Sequence, residues 1–448
     1  MRVRILRGRS PPPSTDDERA VKSSKCPRTR STFEQMQKLR SVDSALSFLA
    51  DGYLFGTRRF DALQTDAFRT RLLGVPVVVM RGSDACRFFY EQGRFTRSAA
   101  LPPSITHLLQ DVGSVQTLEG ADHRDRKHLF VDALMSREAL DGLADAVEDE
   151  WMSAAADWAH RDRVSLSAEI PKILSRAILS WSGIAATPVG ADKRASEFVS
   201  MIENAARIGP PNWAARARRR RTEKWAGSLV VDARADPAAS EGTVLGAVAS
   251  KTSRTGAPLP VDVAAVELIN VLRPFVAISR FLLFAVLGLR RRPDLAEAFR
   301  SGDESLLEDF AQEVRRFYPF FPVIAGRASR ALEFDGHPIA AGSLVMLDLY
   351  GTDHDKSYWG DPEVFRPERF AEKGVDPNHL IAQGGGTYLD DHRCPGEPLT
   401  VRVIMRVVQI LTQRMSYELP PQDLRVSLRT FPAMPESGVL LSGMAVHA

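Results

Sequence analysis

The sequence predicts a mainly α-helical fold with small β-sheets, an α+β arrangement in a single domain. Three observations carry this. Apolar residues recur at helical spacing over long stretches, such as residues 138–158 and 264–289. Strand-like runs are few and short, at 73–80 and 344–349. Helices and strands do not alternate regularly, which disfavours a doubly wound parallel sheet.

From the N-terminus, residues 1–31 differ from the rest. They carry Arg2, Arg4, Arg7 and Arg9, a run of three prolines from Pro11, and few large apolar side chains. Such a segment cannot bury enough surface to offset its ordering entropy, so it reads as a disordered basic extension or an early start codon. Asp16, Asp17 and Glu18 count against an organellar transit peptide. Order is expected to begin between Thr32 and Leu39, giving a domain of residues 32–448.

Composition sets limits on function. Hydrophobic residues make up 44% and charged residues 26% of the 448 residues, enough for a sizeable core. The net charge of +3 implies no polyanionic partner. Cys26, Cys86 and Cys394 are too few and too scattered for a disulfide framework or a four-ligand zinc site. A reducing, cytoplasmic location fits. No secretory signal is expected, and the longest apolar tract, 271–289, holds Arg273 and Arg280, so it reads as a buried helix rather than a transmembrane segment.

One basic block interrupts the helical pattern: Arg216, Arg218, Arg219, Arg220 and Arg221, then Lys224, between Trp213 and Trp225. Clustered arginine beside aromatics can bind nucleic acid or an anionic membrane. A solvated helix face is the commoner meaning, and no nucleic-acid fold motif accompanies the block, so no nucleic-acid partner is expected.

The chemistry concentrates near the C-terminus. Gly384-Gly385-Gly386 leads through Asp390, Asp391, His392 and Arg393 to Cys394, Pro395, Gly396 and Glu397, just before an apolar-periodic helix. A lone cysteine is more often a small buried hydrophobe. Here it lies between a glycine-rich loop and a helix N-terminus, where N–H groups and the helix dipole favour a thiolate and small residues let a flat macrocycle approach.

Upstream, Glu313 and Arg316 sit three apart on one helical face, where they can pair. Alone this pattern is weak. Its order relative to Pro362, Phe365, Pro367, Glu368, Arg369, Phe370 and then Cys394 is more telling. In that order the chain resembles the cytochrome P-450 superfamily, with its Glu-x-x-Arg helix, Pro-Glu-Arg-Phe meander and cysteine loop. The resemblance runs from about residue 40 to the end. It narrows to the peroxide-using fatty-acid hydroxylases and their alkene-forming decarboxylase relatives, on Glu267 through Arg273-Pro274, Arg316 through Phe321, Leu347 through Gly351, and His392 through Glu397.

The resemblance implies a haem b held by Cys394 as axial iron ligand, with Glu313 and Arg316 structural. His123 and Lys127 match the spacing of an aromatic and an arginine that bind a haem propionate, and Arg327 is a second candidate for that contact. Where ordinary members carry an acid-alcohol pair, this chain has Arg273-Pro274. Pro274 lacks an N–H and crowds the Asn270 carbonyl, so a kink is expected that turns Arg273 toward a cavity. A buried guanidinium needs an anion, and a fatty-acid carboxylate suits it. That carboxylate would then act as the general acid and base for hydrogen peroxide, the co-substrate, with no flavin, NADPH or redox partner. Gln116 matches a position that is Gln in hydroxylating relatives and His in the alkene-forming one, so hydroxylation of a long-chain fatty acid at C2 or C3 is the expected reaction. A decarboxylase, a reductase-dependent monooxygenase and a non-catalytic haem sensor are the alternatives. Asp390-Asp391 depart from the resemblance, since relatives have a small residue just before the histidine.

Overall fold

Two of the long helices start at side-chain caps. Ser136 Oγ accepts from Ala139 N at 3.1 Å and Thr187 Oγ1 from Gly190 N at 3.2 Å, each satisfying a first-turn N–H that no carbonyl can reach. In the computed structural model, which describes Gln37, Leu39 and residues 42–447 apart from Val112, ten helices position the site. They are α1 (Pro103–Leu109), α2 (Gly120–Leu134), α3 (Arg137–Trp158), α4 (Leu166–Trp181), α5 (Pro188–Asn204), α6 (Pro210–Ala235), α7 (Val261–Ala277), α8 (Ser279–Arg291), α9 (Leu307–Phe317) and α10 (Glu397–Gln409). The expected extension, 1–31, lies outside the described residues. Gln37 and Leu39 already exchange backbone hydrogen bonds with Arg69.

The apolar tract expected as one helix is two. Pro274 lies inside α7, and the helical ladder breaks at Ile278, four residues later. The stretch Val261–Arg291 is long and apolar enough to cross a membrane, but 94% of its apolar window is buried inside the protein, so it reads as a core helix. It packs against α4, α5 and α6. Its own Leu268, Phe281 and Phe284 are buried in one core with Trp151, Trp158 and Phe198.

The sheets are small. One has five strands: β1 (Ala67–Leu72) pairs antiparallel with β2 (Val75–Met80), and β2 runs parallel to Leu344–Asp348. That strand pairs antiparallel with Val323–Ala328, which pairs with the short strand Phe95–Thr96. Strand β2 starts later than expected because Leu73 and Gly74 form the hairpin turn, with φ of 50° and 78°. Asp348 ends its strand and turns the chain into Leu349–Asp353 by accepting from Gly351 N at 2.7 Å. Glycine is required at 56 and 351, where a Cβ would meet the Asp348 carboxylate at 1.7 and 2.7 Å.

Candidate active site at Cys394 and Arg273

The cysteine loop is held from both ends. Cys394 N donates to Gln383 O at 3.2 Å, closing a loop in which Gly384 and Gly386 have φ of 94° and 77°. A Cβ on Gly385 would stand 2.4 Å from Cys86 Sγ, so only glycine fits. Gln383 Nε2 lies 3.9 Å from Cys394 Sγ and 3.1 Å from Thr400 Oγ1, while its Oε1 accepts from Arg315 Nε at 2.9 Å. Helix α10 begins three residues past the cysteine. Burial raises the Cys394 thiol, opposed by the Lys127 charge and the Gly396 N–H. Glu397 acts as the anchor of the turn: Arg393 donates to both its oxygens, at 2.8 and 3.0 Å, and Arg315 Nη2 lies 2.6 Å away as an ion pair. Burial acts to raise the Glu397 carboxyl, but Arg315 and Arg393 hold it below the usual range. Sequence reasoning missed Gln383 and Arg315; Arg315 stands next to Arg316 inside the Glu-x-x-Arg pattern, which was its only signal.

Glu313 and Arg316 are fully buried, not an exposed pair. Arg316 donates to both Glu313 oxygens at 2.7 and 2.8 Å, and to the carbonyls of Asp353 and Pro362 at 3.0 and 2.9 Å. Arg366 N donates to Glu313 Oε1 at 2.8 Å, and Arg369 Nε lies 3.1 Å from Oε2. One carboxylate thus ties α9 to the Pro-Glu-Arg-Phe segment that precedes the cysteine loop. Glu368 of that segment holds Arg292 in a second bidentate pair, at 2.7 and 3.0 Å.

Helix α2 presents one cation, Lys127, and one neutral imidazole, His123, to the loop. Lys127 is buried and donates to Arg393 O at 2.7 Å; burial brings its amine down to about 8, with Cys394 opposing. His123 is buried, its Nε2 has no partner, and its ring lies 4.1 Å from that of His392. Burial, with His392 and Lys127, lowers His123 to about 3. His392 is also lowered by burial, to about 4, although Glu119 at 3.6 Å opposes the shift. Arg327, on the strand paired with both Leu344–Asp348 and Phe95–Thr96, donates to the carbonyls of Ala99 and Gly342 at 2.8 and 3.2 Å. Arg97 acts electrostatically on His123, His392 and Lys127. The departure at Asp390-Asp391 has a structural use: Asp391 accepts from Thr387 N at 2.8 Å and Thr387 Oγ1 at 3.2 Å, tying the loop shut.

Arg273 and Gln116 come together through Asn270. Arg273 is 4% exposed, and its Nη1 donates to Leu108 O at the end of α1 at 2.8 Å. Its Nη2 lies 3.5 Å from Asn270 Oδ1. Among the described residues no carboxylate pairs with it, and burial, then Arg219, pulls it down to about 9. Asn270 Nδ2 donates to Gln116 Oε1 and Glu267 Oε2, both at 3.2 Å. Glu267 is fully buried; Arg126 Nη1 at 2.6 Å and Val115 N at 2.9 Å hold it, and burial raises its carboxyl. Glu267 therefore fixes the segment bearing Gln116 against α7. Sequence reasoning named neither Arg126 nor this use of Glu267. The basic block is not a uniformly solvated face: Arg220 and Arg221 are exposed, but Arg219 is 1% exposed and pairs with Glu223 at 2.6 Å and Asp111 at 3.4 Å.

These residues fit a haem. Cys394 ends a loop that opens on three glycines, and buried Lys127, buried neutral His123 and half-buried Arg97 lie on its side, with a ring nitrogen of His123 unpartnered. Arg273 adds a cation inside the protein with only neutral oxygens bonded to it.

The comparisons with known proteins agree. The family described as Cytochrome P-450 matches residues 304–440. A solved variant of cytochrome P-450SP alpha (CYP152B1) is 36% identical, with a TM-score of 0.88 over 91% of this chain and 100% of that one. Cytochrome P-450EX alpha (CYP152N1), solved with myristic acid, is also 36% identical, with a TM-score of 0.88 over 93% of this chain and 100% of its own. A variant of cytochrome P-450 OleT, in complex with arachidonic acid, is 32% identical, with a TM-score of 0.89 over 93% and 99%. Curated relatives match over less: cytochrome P-450 71D2 of Catharanthus roseus is 29% identical over 30% of this chain and 28% of its own length. The chain thus spans about a quarter of the length of the curated relatives it matches, 28% and 22% in that protein and in carnosic acid synthase of Rosmarinus officinalis.

Proposed function

The chain belongs to the cytochrome P-450 family, and on that footing we propose that it is a haem-thiolate peroxygenase that hydroxylates long-chain fatty acids at C2 or C3 with hydrogen peroxide. One observation carries the reading: Arg273 is buried with no carboxylate partner among the described residues, next to Asn270 and Gln116. The myristic and arachidonic acids bound by similar solved proteins support a fatty acid as its anion.

Cys394 would ligate the iron, and His123, Lys127 and Arg97 would hold the propionates. When bound, the haem supplies peroxide O–O cleavage and oxygen transfer to carbon. The protein's part is placement and proton handling. Arg273 anchors the substrate carboxylate by a two-pronged pair, which fixes how far C2 and C3 lie from the anchor. No carboxylic acid side chain stands at Arg273 among the described residues, so the anchored carboxylate is the group that takes and returns the proton. Glu267 does not serve, because Arg126, Val115 and Asn270 occupy its oxygens. Gln116, held by Ser114 Oγ at 2.8 Å and by Asn270, presents an amide that cannot become an acid at neutral pH. This favours hydroxylation over decarboxylation. The free thiols Cys86 and Cys394 suit a cytoplasmic protein.

The deciding experiment is product analysis of myristic acid incubated with haem-loaded protein and hydrogen peroxide, without reductase or NADPH. The 2- or 3-hydroxy acid is the expected product. Terminal alkene as the main product would make the chain a decarboxylase, and turnover only with a reductase would make it a conventional monooxygenase.

A further inference from the structure

Helix α6 opens on a surface patch that the site at Arg273 does not use. In the turn before it Arg207 is exposed and Ile208 is 80% exposed, and in its first turn Trp213 is 65% exposed. Trp213, Ala217, Arg220, Arg221 and Lys224 follow one another at helical spacing, so they share one face, and all five are exposed. Among the described residues Arg207, Arg220, Arg221 and Lys224 enter no ion pair. Glu223, the one acid of this helix before Asp232, pairs with buried Arg219 at 2.6 Å instead. The two tryptophans that flank the block also differ: the Arg194 guanidinium lies 4.6 Å over the Trp225 ring, whereas Trp213 is bare.

Single exposed apolar side chains are ordinary. Here a tryptophan and an isoleucine stand beside an acid-free row of cations, although the whole chain carries a net charge of only +3. Tryptophan settles at the boundary between headgroups and acyl chains, and arginine and lysine gain from anionic headgroups. A nucleic acid offers phosphates but no apolar layer for Ile208. The helix that carries the patch is tied to the element that holds Arg273. Asn212 Nδ2 donates to Ser104 O at 3.1 Å and Arg219 Nη2 to Gln110 O at 3.3 Å, so α6 grips both ends of α1, whose Leu108 O accepts from Arg273.

We propose that this face of α6, with the turn before it, docks on an anionic lipid bilayer. Ile208 and Trp213 enter the headgroup boundary, and Arg207, Arg220, Arg221 and Lys224 meet lipid phosphates. Long-chain acids partition into such bilayers, so docking brings the substrate to the protein beside α1. That use rests on the fatty-acid reading given above, whereas the docking itself does not.

The test is co-sedimentation of the full-length, haem-loaded protein with vesicles of phosphatidylcholine, alone or mixed with phosphatidylglycerol. Wild type should bind the mixed vesicles at low salt, and far less at high salt or without the anionic lipid. Arg220→Gln, Arg221→Gln and Lys224→Gln combined should weaken that binding about a hundredfold, at about fivefold for each cation near the surface. Trp213→Ala should weaken it as well and remove most of the quenching of tryptophan emission by brominated lipid. All these side chains are exposed, so turnover of dodecanoic acid in solution with hydrogen peroxide should be unchanged in both variants. Wild type left in the supernatant, or equal binding by wild type and the triple variant, overturns the docking face. Duplex DNA bound more tightly than anionic vesicles, and lost in the same variant, overturns the bilayer in favour of nucleic acid. Vesicle binding without any fatty-acid turnover overturns the reading of Arg273 and leaves the docking face standing.

Discussion

Arg273 Nη1 donates to the Leu108 carbonyl at 2.8 Å, so the guanidinium is hydrogen-bonded within the protein but not neutralised. A carbonyl dipole at the end of α1 compensates a full charge only partly, which leaves the site ready for a carboxylate.

Arg273→Ala removes that charge. Substrate anchoring should weaken by about 2–5 kcal/mol, the cost of truncating one partner of a buried charge pair, and turnover should fall with it. Arg273→Lys keeps the charge without the fork and should bind better than Ala while turning over slowly. A short carboxylic acid should stimulate peroxide-driven oxidation of a non-acidic substrate in wild type but not in Arg273→Ala. Steady-state kinetics decide, and undiminished fatty-acid turnover in Arg273→Ala would sink the assignment.

Cys394→Ala should abolish the far-red-shifted Soret band of the reduced carbon monoxide complex, which reports thiolate ligation. Gln383→Leu should keep the band but lower the reduction potential, because it removes an N–H donor 3.9 Å from the sulfur. A potential equal to wild type would show that Gln383 only braces Arg315.

Glu313→Gln takes away the charge that Arg316 and Arg369 share inside the protein. Two buried guanidiniums then face a neutral amide, and the loss of stability should be about 3–5 kcal/mol, as for breaking a buried pair on one side. Denaturant unfolding measures it. A loss under about 1 kcal/mol, the range of an exposed pair, would contradict the buried network.

Asp348 gives stability a pH dependence. Burial raises its carboxyl from 3.8 to about 7, with the Gly351 N–H opposing. Between those values the folded state holds a proton that the unfolded chain has released, so stability falls as pH rises. The contribution is full below about pH 4 and is lost through about pH 7, roughly 4 kcal/mol at most for a shift of this size. Asp348→Asn should flatten this part of the stability profile in chemical denaturation. An unchanged slope would mean that Asp348 is ionised throughout.

The sequence by itself determined the helix-rich class, the cysteine loop and the spacing that lets Glu313 pair with Arg316. Each depends on local periodicity, on glycines with φ of 94° and 77° at Gly384 and Gly386, or on spacing within one helix. It also singled out Arg273 and Gln116. Only the tertiary structure decided what those groups touch. Gln116 meets α7 across 154 positions through Asn270, and Arg315 reaches Gln383 across 68. Arg327 bonds the carbonyls of Ala99 and Gly342 while Arg97 acts electrostatically on His123 and Lys127, and Arg219 alone of its basic block is enclosed. Whether a charge is solvated, paired or left bare depends on which distant elements pack over it, and local sequence holds no record of that.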